Sequence, residues 1–342
     1  MPLTTETQPP ARPAATNQAH GRRLNLAAVV AVLTGAVALM LLAFLTPAVN
    51  SGAEDLPLAV SGPAPVVSQV AAALEGRAPG TFEITTYPSA EEAASAVTRR
   101  EAIGGLAIGA DGVTVQLASG AGTPYASLLR SVGAGLAADG QRVTYADLAP
   151  LTADDPAGVG ISAIALPMVF GGMASAMLLA AVLKAGRARR IAGALAVAVA
   201  AGLTAAAILQ YGFAAVDGDF WLTAASISLG IAAVSLTVLG LESLLGFAGL
   251  GLGAALMMFV SNPLSGMATG PQWLPQPWGE IGQYLPLGAA GTAVRSSAFF
   301  DGAGMGRAVV VLVCWAALGA LLVLLSRRRG QGAGSTAEPV PA

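Results

Sequence analysis

Charge is what this sequence has least of. Asp, Glu, Lys and Arg make up 11% of 342 residues, where a soluble globular chain carries about 25%. Hydrophobic residues reach 55% and mean hydropathy is +0.69, a balance that argues against a water-soluble fold. Lysine occurs once, at Lys184, against sixteen arginines, and the net charge is -2. A chain that tracks nucleic-acid phosphates needs a clustered basic excess, so no nucleic-acid partner is expected. The single cysteine, Cys314, lies in an apolar run, which excludes a disulfide framework, a CxxC pair and Cys/His zinc spacing. The single histidine, His20, falls in a polar, proline-containing stretch, 1–21, that reads as a disordered tail. No metal and no cofactor are expected.

What the chain does contain is long apolar runs. Six stretches, 24–45, 159–183, 191–211, 221–241, 244–260 and 308–325, are free of Asp, Glu, Lys and Arg. Roughly 17 to 25 helical residues cross a hydrocarbon core about 30 Å thick, so each is read as a transmembrane helix. Arg22 and Arg23 precede the first stretch, a pair that also opens twin-arginine signals. Its 22 apolar residues exceed the roughly 7 to 15 of a signal-peptide core, and 46–49 offers no A-x-A cleavage site, so an anchor is preferred.

Basic residues near span ends stay in the cytoplasm. Arg22 and Arg23, the cluster Lys184, Arg187, Arg189 and Arg190, and Arg327 to Arg329 share one side if the spans number six, with Asp217 and Asp219 on the other. The fold class expected is therefore an α-helical integral membrane protein of six transmembrane helices, with a small α/β extracytoplasmic domain inserted between helices 1 and 2. The organisation is a cytoplasmic tail 1–21, helix 24–45, outer domain 47–158, five-helix domain 159–325 with an outer Pro/Trp-rich segment 261–307, and a cytoplasmic tail 326–342. Only Glu242 and Ser243 separate the fourth stretch from the fifth, which predicts a tight turn there.

Residues 47–158 carry twelve acidic and five basic residues, suited to a soluble surface. Strand character at 56–61, 82–86, 105–108, 113–117 and 143–145 alternates with helical segments. Ser89 and Glu92 form a capping box, with Arg99 and Arg100 at that helix's negative end. Thr123 and Pro124 read as N-cap and first helical residue, and Asp139-Gly140 as a helix stop. The segment 261–307 holds Pro263, Pro271, Pro275, Pro277 and Pro286 with Trp273, Trp278 and Tyr284. It reads as an interfacial or re-entrant hairpin, whose non-helical backbone must be covered by protein.

Catalytic motifs are missing. Lys184 is followed by Ala185, so no Walker A loop exists, and there is no HExxH and no GxSxG. No Asp, Glu, Lys, Arg or His lies within a span, which leaves no intramembrane proton or sodium relay. The chain is therefore not read as an enzyme. Gly249 and Gly253, four apart in the fifth stretch, read as helix-packing positions.

The run Asn262-Pro263-Leu264-Ser265-Gly266-Met267, then Trp273-Leu274-Pro275, Tyr284-Leu285-Pro286-Leu287-Gly288 and Arg295 resembles the stretch before the last helix in permease subunits of type-2 ATP-binding-cassette exporters. With a large domain between the first two helices, the layout is similar to the YhgE/Pip-like branch. The resemblance implies a dimeric permease, homodimer or heterodimer, in the lipid bilayer. It would pair with a separate nucleotide-binding ATPase and move a hydrophobic or amphipathic substrate, or an envelope polymer, outward. It also implies that Lys184, Arg187, Arg189 and Arg190 form the ATPase-coupling loop, and that Asn262, Pro263, Gly266, Pro275, Pro286 and Arg295 mark the family-like outer segment. The alternative is a non-transporting scaffold or surface receptor, like the phage-infection proteins of that branch, with a ligand-binding outer domain.

Overall fold

The computed structural model describes residues 26–182 and 186–326. Lys184, the terminal arginine clusters and both tails lie outside the described residues. The first element, α1 (Leu26–Val49), is an apolar helix of 24 residues.

Five strands, β1 (Leu56–Ser61), β2 (Phe82–Tyr87), β3 (Gly104–Gly109), β4 (Gly112–Leu117) and β5 (Val143–Asp147), form one sheet in the order β2-β1-β3-β4-β5. All neighbours are parallel except the β3–β4 hairpin. Every expected strand lies inside an observed one. Period-2 alternation explains the layers. Leu56, Leu58 and Val60 turn to one face, where α2 (Ala64–Arg77) and α4 (Thr123–Ala138) cover them with Val67, Leu74 and Leu129. Ala59 turns to the other, under Ala93, Ala96 and Val97 of α3 (Ala90–Thr98). Right-handed crossovers to opposite sides of β1 require α2 and α3 to lie on opposite faces.

The Ser89 hydroxyl accepts from the Glu92 N–H at 3.1 Å, capping α3. Thr123 is the first residue of α4 rather than its cap. Gly122 occupies the cap position at φ 157, where the backbone runs against the Thr269 carbonyl and the Tyr125 ring and leaves no room for a Cβ.

The remaining helices are α5 (Val159–Ala163), α6 (Ala165–Val182), α7 (Arg187–Ala207), α8 (Phe220–Leu245), α9 (Phe247–Ala255), α10 (Trp278–Gly282), α11 (Pro286–Phe299) and α12 (Gly306–Leu325). Asp219 caps α8 by accepting from the Leu222 N–H at 2.6 Å. Buried along most of its length, α8 is the axis around which α6, α7, α9, α11 and α12 pack. Small residues set the spacing. A side chain on Gly202 would run into Ser228, and one on Gly319 into the Leu236 backbone. The Ser175 and Ser235 hydroxyls, both buried, bond each other at 2.6 Å between α6 and α8.

Among the described residues, five helical segments are long and apolar enough to cross a membrane: Leu26–Val49, Val159–Val182, Arg187–Gly212, Phe220–Leu245 and Gly306–Leu325. The fifth expected span is shorter, a helix over Phe247–Ser261 that ends in a π-helical turn. The break expected at Glu242 and Ser243 falls instead at Gly246. There φ is 66° and ψ −137°, which glycine tolerates, whereas Glu242 is still within α8 and its carboxylate meets Arg190 at 3.5 Å.

Candidate functional site

Two regions gather the residues singled out by sequence, at opposite ends of the packed helices. At one end, Ala215 and Leu209 beyond α7 meet Gly160, and Gly218 lies against the Ser297 and Ala298 carbonyls at the end of α11. At the other, Arg187 donates to the Ser326 carbonyl that ends α12. Arg190 donates to the Ala180 carbonyl in the last turn of α6 at 3.2 Å, and to Glu242 near the end of α8. Guanidinium groups thus fill carbonyl positions that helix ends leave open. Arg189 differs from both, because its side chain is exposed. So is Phe247, 89% exposed at the α8–α9 turn of the same end. Nothing in the sequence singles out Phe247, which lies inside an expected span.

The Pro/Trp-rich segment is folded back on the sheet layer. Asn262 ends the π-helical turn, and its carbonyl accepts from the Ser265 N–H and hydroxyl. Pro263 follows within that turn. Gly266, at φ 64°, packs against Pro271, and the Pro275 carbonyl accepts from the Gly279 N–H at 3.2 Å. Pro286 opens α11, and the Leu287 N–H donates to the Ser261 hydroxyl at 3.0 Å. Arg295, only 4% exposed, donates to the Met267 carbonyl at 2.8 Å and so holds the segment onto α11. Most of α11 is buried among α8, α12 and this segment. Such cover is what a short helix between spans needs if it lies at membrane depth.

Tyr125, for which the sequence carried no signal, and Arg100, read there as a helix-closing charge, tie the sheet layer to this segment. Tyr125 of α4, 1% exposed, donates to Gln272 Oε1 at 3.0 Å and accepts from the Trp273 N–H at 3.1 Å, with the two rings edge to face at 5.8 Å. Burial raises its phenol well above the ordinary 10.0, so it stays neutral. Arg100 ends α3 at φ 63° and crosses to α11. It donates to the Thr292 carbonyl at 3.2 Å and to Ser296 Oγ at 2.6 Å, with its guanidinium 5.1 Å from the Phe300 ring centroid. Desolvation first, and the Arg295 cation second, lower its pKa to about 10, so it remains charged at neutral pH. The left-handed backbone was the missing signal. Arg99-Arg100 reads as a pair of helix-closing charges until φ turns the second side chain the other way.

A crevice of about 440 Å³ lies at the carboxyl ends of β1, β2 and β3, lined by Ser61, Ser89, Asp111, Thr114 and Arg142 among others. Open α/β sheets bind ligands at this position. Among the described residues no three His, Cys, Asp or Glu side chains gather as metal ligands. Gly249 and Gly253 lie on the α9 side facing α8. A side chain at Gly249 would strike the Leu241 carbonyl, and one at Gly253 would approach Val238 to 3.1 Å. Comparison with family models, curated proteins and solved structures finds no match for this chain.

Proposed function

We propose that this chain is the membrane permease subunit of an exporter driven by a separate ATPase, lying in the bilayer with both ends in the cytoplasm and residues 47–158 outside. It moves a hydrophobic or amphipathic molecule, or an envelope polymer, and works as a dimer of permeases. It is not itself an enzyme: the sequence has no Walker A loop, and ATP is hydrolysed by the partner. The observation that carries the reading is the end face built by the end of α6, the start of α7 and the ends of α8 and α12, where Arg187 and Arg190 are spent on helix carbonyls while Arg189 and Phe247 project outward. A cation beside an exposed aromatic on a braced surface suits docking of a partner, the charge governing encounter and orientation.

The test is purification of the full chain in detergent with its co-purifying proteins, followed by ATPase assay. Arg189→Gln combined with Phe247→Ala should reduce stimulation of the partner about tenfold while the fold is kept. Unchanged stimulation would clear this face of a coupling role. A second reading, a surface receptor or scaffold with a ligand-binding outer domain, draws on the crevice at the carboxyl ends of β1 to β3. Absence of any ATPase among the co-purifying proteins would favour it.

A further inference from the structure

The α3 face of the sheet is not fully covered, and Thr144 of β5 is exposed there. Alternation puts Ser61, Ala107, Thr114 and Thr144 on this face, because Val60, Leu106, Val113 and Val115 turn to the opposite core. Pairing sets the four side by side: Ser61 meets Ala107, Ala107 meets Thr114, and Thr114 meets Thr144. Four strands thus carry one row of small side chains, three of them with hydroxyls. Pro88, Ser89 and the first residue of α3 line the crevice over this row, as do the β3–β4 turn, 109–112, and Arg142. Its volume of about 440 Å³ lies within the roughly 300–1,000 Å³ usual for small-molecule sites.

Ser61 is only 2% exposed and lines the crevice, and among the described residues its hydroxyl has no hydrogen-bond partner. A hydroxyl on so buried a residue usually has one. Asp111 and Arg142, both exposed, form no ion pair among the described residues. Their backbones are close, since a Cβ on Gly112 would strike the Arg142 carbonyl. The crevice therefore offers an anion and a cation at neighbouring points beside a row of hydroxyls. Phosphate groups favour free N–H groups at helix N-termini, and these are missing here. Pro63 and Pro65 remove donors from the start of α2, the Ser89 hydroxyl occupies the Glu92 N–H, and Glu91 and Glu92 add negative charge to the first turn of α3. No aromatic ring lines the crevice among the described residues, so nothing there stacks on a sugar or a base.

We propose that this crevice binds a free amino acid with a polar side chain, its carboxylate on Arg142, its ammonium on Asp111 and its side chain along the row from Thr144 to Ser61. An α-amino acid carries its two charges close together, as the crevice presents their counter-charges. The opening lies at the end of the sheet away from the helices, because β4 leaves the crevice at Val113 and only beyond Leu117 do Gly120 and Gly122 meet Phe299 and Thr269. The proposal rests on the ligand-binding outer domain of the second reading above and gives it a ligand class.

The test is isothermal titration of the purified full chain in detergent with each protein amino acid in turn, and with propionate, ethylamine, glucose and inorganic phosphate as controls. Serine, threonine, asparagine and glutamine should bind saturably, one per chain, and more tightly than leucine or phenylalanine, while the controls should not bind. Asp111→Asn and Arg142→Gln should each weaken binding about tenfold or more, and Ser61→Ala about fivefold. Because the Ser61 hydroxyl has no partner in the fold, Ser61→Ala should leave the melting temperature unchanged, which separates a ligand contact from a structural one. The proposal is overturned by the absence of saturable binding for every amino acid, by a control or an apolar amino acid that binds as tightly, or by affinities that Asp111→Asn and Arg142→Gln leave untouched. Binding is measured on the chain alone, so an ATPase among the co-purifying proteins would displace the receptor reading without altering this result.

Discussion

Tyr125 shows how much one side chain can hold. Its hydroxyl bonds Gln272 and the Trp273 backbone, its ring meets the Trp273 ring, and Gly270 is close enough that a Cβ there would strike the phenol. Tyr125→Phe keeps the ring and leaves the Trp273 N–H and Gln272 without their partner, at a cost of about 1–3 kcal/mol. Thermal or denaturant unfolding of the full chain measures it. The sign of the pH dependence follows from the raised pKa. Above pH 10.0, its ordinary value, the unfolded chain releases the phenolic proton while the folded chain keeps it, so wild-type stability falls as pH rises. Arg100 acts in the opposite direction above about pH 10, because there the unfolded chain holds the extra proton, but it is common to both proteins. The difference between wild type and Tyr125→Phe should therefore narrow from pH 8 to pH 11. A constant difference would show that Tyr125 ionises as easily in the fold as in the unfolded chain.

Among the elements, α8 and α12 carry a contact that no larger residue can make. A Cβ on Gly319 would overlap the Leu236 backbone, which cannot swing aside as a side chain can, and a Cβ built on Gly240 of α8 would come within 2.7 Å of the Gly319 carbonyl in turn. Gly319→Val should force the two helices apart and destabilise by about 2–3 kcal/mol, with Gly319→Ala milder. Gly251 of α9 is the control, since nothing lies within 4 Å of a Cβ built there. Gly251→Ala should be neutral or slightly stabilising. Equal losses at both positions, measured by detergent-resistant melting, would remove close helix approach as the explanation. The arginine staples belong to this scale too. Replacing Arg190 leaves Glu242 partly buried and unpaired, so Arg190→Gln should lower stability more than Arg189→Gln by about 1–2 kcal/mol, and Glu242→Gln in the same chain should recover part of it.

For the whole molecule, the question is which side of the membrane each end of the bundle meets. The helix over Phe247–Ser261 has 15 residues, about 22 Å of helix against a core of about 30 Å. It returns the chain antiparallel to α8 and delivers Thr269 beside Gly122, next to the sheet layer. The Gly52 N–H bonds the Trp273 carbonyl in the same neighbourhood. With Cys314 first replaced by serine, single cysteines at Asn50 and Thr269 should react with an impermeant maleimide added outside intact cells, and one at Arg189 only after permeabilisation. Reaction of Thr269 and Arg189 from the same side would overturn this arrangement of the helices.

The sequence by itself determined the apolar spans, the strands and most of the helix punctuation, because these follow from local periodicity and from residues that act on their own backbone. At five of the six uncharged runs the helix is long and apolar enough to cross a membrane. Alternation at 56–61 selects a strand, and Ser89 three residues before Glu92 selects a helix start. The α8–α9 boundary escaped such reading. Glu242 looks like a loop residue until Arg190, 52 positions away, is found beside it. Tertiary structure alone decided that Arg187 and Arg190 brace helix ends while Arg189 and Phe247 face outward. It also decided that Tyr125 and Arg100 grip the Pro/Trp-rich segment, and that Arg295 is buried against a small cavity. Each of those outcomes rests on partners brought together from distant parts of the chain, and on two left-handed residues, Gly246 and Arg100, whose φ redirects the backbone or the side chain. Pairings of that kind depend on packing, which periodicity and composition do not encode.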